Sequence, residues 1–307
     1  MSTASPAASR RGFLLVVLAA LCWGTSGVSG SLVARHSDLG PLDIAWHRMA
    51  IGALALLLAW SVTRRRTGPV PAVDRGTGVR LLLVGAGLAA YQLAYFAAVA
   101  TAGVSIATLV ALGLAPLLIA VGGTLLGHGR PDRATVLALV AALVGLVLLV
   151  GVSAGADTGT TVVLGALMAV GSALGYAVVT LAGGGVPAGI PVTLVGFAGG
   201  ALLLTPVALA VGLRSTTDPV ALGVLLYLGL VPSALAYAMF FSGLRTVPGA
   251  VASIVTLLEP LGATALATAF LGERLSPAAL AGGVLVLAAV AGLYLHRLRQ
   301  PVPTAGA

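Results

Sequence analysis

Ten apolar runs of about twenty residues, most of them joined by connections of only a few residues, constrain this chain more than any other feature. They lie at 12–33, 42–61, 80–99, 103–126, 133–152, 160–182, 187–212, 220–243, 248–271 and 276–295. At ~1.5 Å per residue, about twenty apolar residues cross a ~30 Å hydrocarbon core, so each run is long enough to span. No water is present there to hydrogen-bond the backbone, and a spanning run must therefore satisfy its own N–H and C=O groups as a helix. The fold class that follows is an all-α integral membrane protein with ten transmembrane helices. The connections carry breakers or charge, as in Arg64-Arg65-Arg66-Thr67-Gly68-Pro69, Gly129-Arg130-Pro131-Asp132 and Gly183-Gly184-Gly185. The thinnest are Thr101-Ala102 and Arg245-Thr246-Val247-Pro248.

A water-soluble alternative fails on surface chemistry. Only 8% of residues are charged, against about 25% in soluble domains. The stretch after Arg10-Arg11 exceeds the roughly 7–15 apolar residues of a signal-peptide core and reads as a retained first helix. All sixteen basic residues are arginine. With the N-terminus inside, Arg10, Arg11, Arg64, Arg65, Arg66, Arg75, Arg80, Arg130, Arg133, Arg245, Arg297 and Arg299 fall in cytoplasmic segments. Only Arg35, Arg214 and Arg274 fall outside, and Arg48 lies within a span. This bias places both termini in the cytoplasm, as an even number of spans requires. It gathers no basic surface patch, so nucleic acid is not an expected partner. The single cysteine, Cys22, permits neither an internal disulfide nor a cysteine-based zinc site.

The chain also repeats. A shift of 145 residues places Phe96 on Phe241, Thr101 on Thr246 and Gly127 on Gly272, with Ala107, Val110, Leu112 and Leu126 on like residues. This divides it into a tail (1–11), a first five-helix repeat (12–152), a linker (153–159), a second repeat (160–296) and a tail (297–307). Five is odd, so the halves are inverted relative to one another, an arrangement that brackets a central site and lets two faces exchange access. The 42 glycines suit close helix packing in lipid. Gly196 and Gly200, four apart, match a contact pattern that serves either internal packing or a homodimer face.

Polar residues inside apolar runs are the candidates for function. Glu259 lies about ten residues into the ninth run, near mid-bilayer, where an ionised carboxylate must be paired, hydrated or protonated. It is read as a substrate-binding or proton-coupling group, with a structural ion pair as the alternative. Arg48, nearer the outer end of the second run, either faces a cavity and binds a carboxylate or snorkels outward beside Asp43. The adjacent His47 is read as interfacial. Trp23, Tyr91, Tyr95, Tyr176 and Tyr237 lie deep in their runs, away from the usual aromatic belts, and are candidate cavity walls with polar handles. Gln92 is a further polar candidate. Pro116, Pro232 and Pro260 each withhold an N–H, from the carbonyls of Leu112, Leu228 and Thr256, and are expected to break their helices. No P-loop, HExxH or GxSxG occurs. The reading assigns no cofactor, metal or enzymatic role.

These residues resemble the EamA branch of the drug/metabolite transporter superfamily. The similarity rests on Cys22-Trp23-Gly24, Trp46-His47-Arg48, Thr101-Ala102-Gly103-Val104-Ser105 leading to Pro116, Arg245-Thr246-Val247-Pro248-Gly249-Ala250-Val251-Ala252, Leu258-Glu259-Pro260 and Leu271-Gly272-Glu273. It covers nearly all of 12–296, departing at Gly127-His128, where the family often has Gly-Glu. The resemblance implies a multi-pass cell-membrane protein with two tandem repeats, moving amino acids, metabolites or drugs. The expectation is a secondary transporter of small molecules, an exporter working by alternating access, with protons as coupling ion at Glu259. The rivals are an intramembrane enzyme using Glu259 and His47, and a non-transporting sensor or scaffold.

Overall fold

The computed structural model describes residues 6–64, 71–150, 160–271 and 276–299. The 153–159 linker, Arg65, Arg66 and the Gly272-Glu273 pair lie outside these residues. All regular structure among the described residues is helical: α1 (Pro6–Gly24), α2 (Ser26–His36), α3 (Pro41–Thr63), α4 (Arg75–Leu125), α5 (Arg133–Val150), α6 (Thr160–Gly184), α7 (Val192–Val211), α8 (Pro219–Gly229), α9 (Ala236–Gly243), α10 (Gly249–Val255), α11 (Leu258–Leu271) and α12 (Pro277–Arg299). A π-helical turn, Leu230–Leu235, joins α8 to α9. Nine stretches of the described residues are long and apolar enough to cross a bilayer, and Arg133–Leu149 is a shorter tenth.

Helical hydrogen bonding runs through α4 without a loop, yet α4 supplies two spans. Tyr95 Oη and Thr108 Oγ1 lie 2.9 Å apart although thirteen residues separate them, about 20 Å along a straight axis. The axis therefore folds back near residues 100–105. Thr101 Oγ1 donates to Ala97 O at 2.8 Å, a back-bond of the kind that bends helices. Helix α6 lies along both arms. A Cβ on Gly175 would stand 2.8 Å from Tyr91 N on the first arm, and one on Gly123 would stand 3.7 Å from Leu181 beside the second.

The start of α7 corrects an expectation. The helix begins at Val192 and not at 187, because Pro187, Gly189 with φ +93° and Pro191 make the preceding segment a turn. Gly196 and Gly200 on α7 face inward, against Val84, Leu88, Met49 and the Gly85 carbonyl, so they serve internal packing.

The ring of Phe13, early in α1, lies 4.8 Å from Tyr294 near the end of α12. His296 Nε2 lies 3.2 Å from Asp132 Oδ2 at the start of α5. Both ends of the described chain therefore sit on one face of the bundle. Leu54, Leu58 and Val62 of α3, Leu137 of α5, Leu202 of α7 and Val284 of α12 are exposed, as lipid-facing positions require.

Candidate functional site

Three helix interruptions shape the middle of the bundle. Between α1 and α2, Thr25 Oγ1 donates to Cys22 O at 2.7 Å and accepts from Tyr227 Oη at 2.9 Å. That break sets Trp23 at the end of one helix and Ser26 at the start of the next. In the eighth span Pro232 has no N–H for the Leu228 carbonyl. The Ser233 hydroxyl takes that acceptor at 2.7 Å and itself accepts Arg48 Nε–H at 3.0 Å. In the ninth span Pro260 cannot reach Thr256 O, and Glu259 N–H bonds it instead at 2.9 Å. The helix parts at Thr256–Leu257, leaving Glu259 in the first turn of α11, where the helix dipole favours a negative charge. Pro116 behaves differently from expectation: it is buried within α4 and the helix continues past it. Leu117 follows it, and a leucine offers no hydroxyl to hold an opened turn.

These elements enclose a cavity of about 280 Å³. Trp23, Arg48, Tyr91, Tyr95, Tyr237 and Glu259 all line it, together with Ser26, Gly30, Gln92 and Phe96. Leu39, Pro41, Ile44 and Val99 form its end towards the face opposite the termini. Towards the termini it is closed by packed rings: Trp23 lies 4.8 Å from Tyr237 and 5.3 Å from Phe240, and Phe197 lies 5.1 Å from Tyr237. Tyr176 belongs to this floor and not to the lining, 5.6 Å from Tyr91 and 5.9 Å from Phe240.

The cavity wall is polar where it matters chemically. Arg48 is 6% exposed, and no carboxylate among the described residues pairs with it. Glu259 lines the same hollow, likewise without an ion pair. Trp23 Nε1, Ser26 Oγ and Gln92 Nε2 are buried with no hydrogen-bond partner, an arrangement that is costly unless a partner arrives. Asp43, the alternative partner for Arg48, is taken: it accepts from Gly40 N–H at 2.9 Å and from Arg214 N–H at 3.0 Å. Arg48 itself is buried and bonded to Ser233. His47 Nδ1 bonds the Asp43 carbonyl at 2.7 Å and does not line the cavity, so it is not placed to act with Glu259. No group of His, Cys, Asp and Glu among the described residues is arranged to hold a metal.

Ser233, the anchor of Arg48, does not stand out in the sequence. Its one visible signal is that it directly follows a proline in an apolar run. Ser26 carried no signal beyond its place near Trp23.

The EamA-like transporter family model matches this chain twice, over residues 10–151 and 163–295. An uncharacterized transporter of Bacillus subtilis strain 168, YwfM, is 33% identical over 89% of this chain and 90% of its own length. An uncharacterized transporter of Archaeoglobus fulgidus is 30% identical over 92% of this chain and 95% of its own. YicL of Salmonella typhimurium, named an uncharacterized inner membrane transporter, is 24% identical over 95% and 98%. A solved crystal structure superimposes with a TM-score of 0.78 over 94% of this chain and 99% of that one, at 22% identity, a likeness of fold. Two family matches that together span the bundle, relatives named as transporters along nearly their whole length, and a lipid-facing shell around one polar cavity lead to one assignment: the chain belongs to the EamA-like transporter family and is a multi-pass membrane transporter of the drug/metabolite type.

Proposed function

We propose that this chain is a secondary active exporter of small metabolites that carry both an anionic and a cationic group. The carrying observation is that Arg48 and Glu259 line one cavity without pairing to each other. A zwitterionic ligand satisfies both charges at once, its carboxylate meeting the guanidinium and its ammonium meeting the carboxylate. Tyr91, Tyr95 and Trp23 form the walls for its apolar part, and Gln92 and Ser26 supply further polar contacts. The cavity's closure by rings on one face alone supports alternating access, with two inverted five-helix halves (12–152 and 160–296) rocking about the site. Glu259 is the coupling group: bound substrate and bound proton compete for one carboxylate, which ties export to proton entry. Against the intramembrane enzyme reading, His47 is absent from the cavity that Glu259 lines.

The test uses purified protein in proteoliposomes, with a ligand chosen by thermal-shift screening of a metabolite panel. In Glu259→Gln, counterflow exchange persists while gradient-driven accumulation is lost. Accumulation equal to wild type removes Glu259 from coupling, and a chemically altered product without net flux restores the enzyme.

A further inference from the structure

We infer that Ser233 is a positioning residue that holds the Arg48 guanidinium away from Glu259 and turned to a ligand carboxylate. The inference rests on the reading of the cavity as a substrate site.

The chain of cause begins at Pro232. It leaves the Leu228 carbonyl without its helical donor, at a depth where lipid and packed side chains supply no replacement. The Ser233 hydroxyl has one proton and two lone pairs. A carbonyl can only accept, so the proton goes to Leu228 O at 2.7 Å and a lone pair is left facing outward. Arg48 Nε–H, 3.0 Å away, fills it. Donor and acceptor roles are thus fixed along the whole relay, and Ser233, 0% exposed, has no freedom to turn. Arg48 spends Nε on this bond. Its four remaining N–H groups lie on the two terminal nitrogens, the planar fork that meets a carboxylate with two parallel bonds.

The relay also explains why two opposite charges share a small cavity without neutralising each other. A free arginine side chain, long and flexible, would close on the only glutamate of the cavity and occupy both charges. Fixing Nε removes that collapse. Ser233 itself is absent from the cavity lining, so its effect on a ligand must pass through Arg48. If Ser233 only capped a helix carbonyl, its loss would lower stability and leave ligand preference untouched.

Two measurements on the full chain in lipid nanodiscs separate these roles. The first is nitrogen-15 NMR of arginine-labelled protein, with the Arg48 Nε–H signal assigned by its loss in Arg48→Lys. Hydrogen exchange at that signal is slow in wild type, slow in Ser233→Thr, which keeps the hydroxyl, and faster by about tenfold or more in Ser233→Ala/Glu259→Gln. The second is the ratio of affinities for L-phenylalanine and L-phenylalaninamide, which differ in the carboxylate. Wild type and Ser233→Thr prefer the acid; Ser233→Ala loses about tenfold of that preference, and adding Glu259→Gln restores most of it, because the competing carboxylate is gone. Unchanged exchange in the double variant overturns the inference. So does equal loss of both probes in Ser233→Ala, or a wild type that does not distinguish them. Failure of the export reading appears elsewhere, in the flux of Glu259→Gln, and leaves these ratios as they are.

Discussion

Gly24 shows how one missing side chain places another residue's charge. A Cβ there would stand 2.9 Å from the Glu259 carbonyl and 3.1 Å from Ala263 N, backbone atoms that cannot step aside. The absent side chain lets α1 press against the first turn of α11, so that Trp23 and Glu259 face one hollow. Gly24→Ala is expected to cost about 1–3 kcal/mol as overpacking, read as a lower thermal midpoint. Gly30→Ala, with no atom within 4 Å of its Cβ, is the control and leaves stability unchanged or slightly raised. Arg48→Met tests a different point. Ser233 keeps its bond to Leu228, so its proton stays satisfied, and stability changes by about 1 kcal/mol or less, while affinity for a carboxylate ligand falls about tenfold or more. Glu259, Arg48, Tyr91, Tyr95 and Tyr237 stand out in the sequence because a charge or a phenol inside an apolar run requires a reason; Tyr176 stands out for the same reason, yet it packs in the floor and not in the lining. Ser233 and Ser26 do not stand out: a serine passes unremarked among many, and the partner that gives Ser233 its meaning lies 185 residues away.

Among elements, the three prolines separate a missing hydrogen bond from a broken helix. Each withholds one N–H, and sequence shows that much. What happens next depends on the replacement donor: the Ser233 hydroxyl opens a π-helical turn, Glu259 N–H closes a tighter turn and parts α10 from α11, and beside Pro116 nothing rewires the helix. The fold-back of α4 was legible as two spans but not as one unbroken run of helical bonds. Thr101 lies at the fold-back, and Thr101→Val removes the back-bond to Ala97 for a loss of about 1 kcal/mol, roughly 2–4 °C in thermal midpoint for a chain of this size. The start of α4 makes a separate prediction in pH. Thr77 holds the Asp74 carboxyl below the ordinary carboxylate value, first through its side-chain hydroxyl and then through its backbone N–H, which Asp74 accepts at 2.8 Å. The folded form therefore binds the proton less readily than the unfolded one. The cap's contribution is present above the ordinary carboxylate range and is lost as pH falls through the lowered value. Asp74→Asn keeps an acceptor and removes this acid limb, which amide exchange across residues 75–79 will report.

At the scale of the whole molecule, the cavity gives the two faces different standing. It reaches Leu39 and Pro41 at the face away from the termini and is sealed by Trp23, Tyr237 and Phe240 on the other side. The arginine bias leads to the expectation that the face with the termini is cytoplasmic, in which case the sealed side of the cavity faces inward. Thiol labelling decides it. In a Cys22→Ala background, Ser215→Cys lies in the connection between α7 and α8 and Arg130→Cys in the turn before α5, both exposed and on opposite faces. A membrane-impermeant maleimide applied to intact cells is expected to label position 215 and to reach position 130 only after permeabilisation. The reverse pattern inverts the molecule, and with it the direction of transport. A third reporter, Gly30→Cys, lines the cavity with free space around its Cβ. Outside labelling at this position, slowed by a bound ligand, joins the orientation of the chain to the use of its cavity. Labelling that ignores every ligand found by thermal shift would place the binding site elsewhere in the bundle.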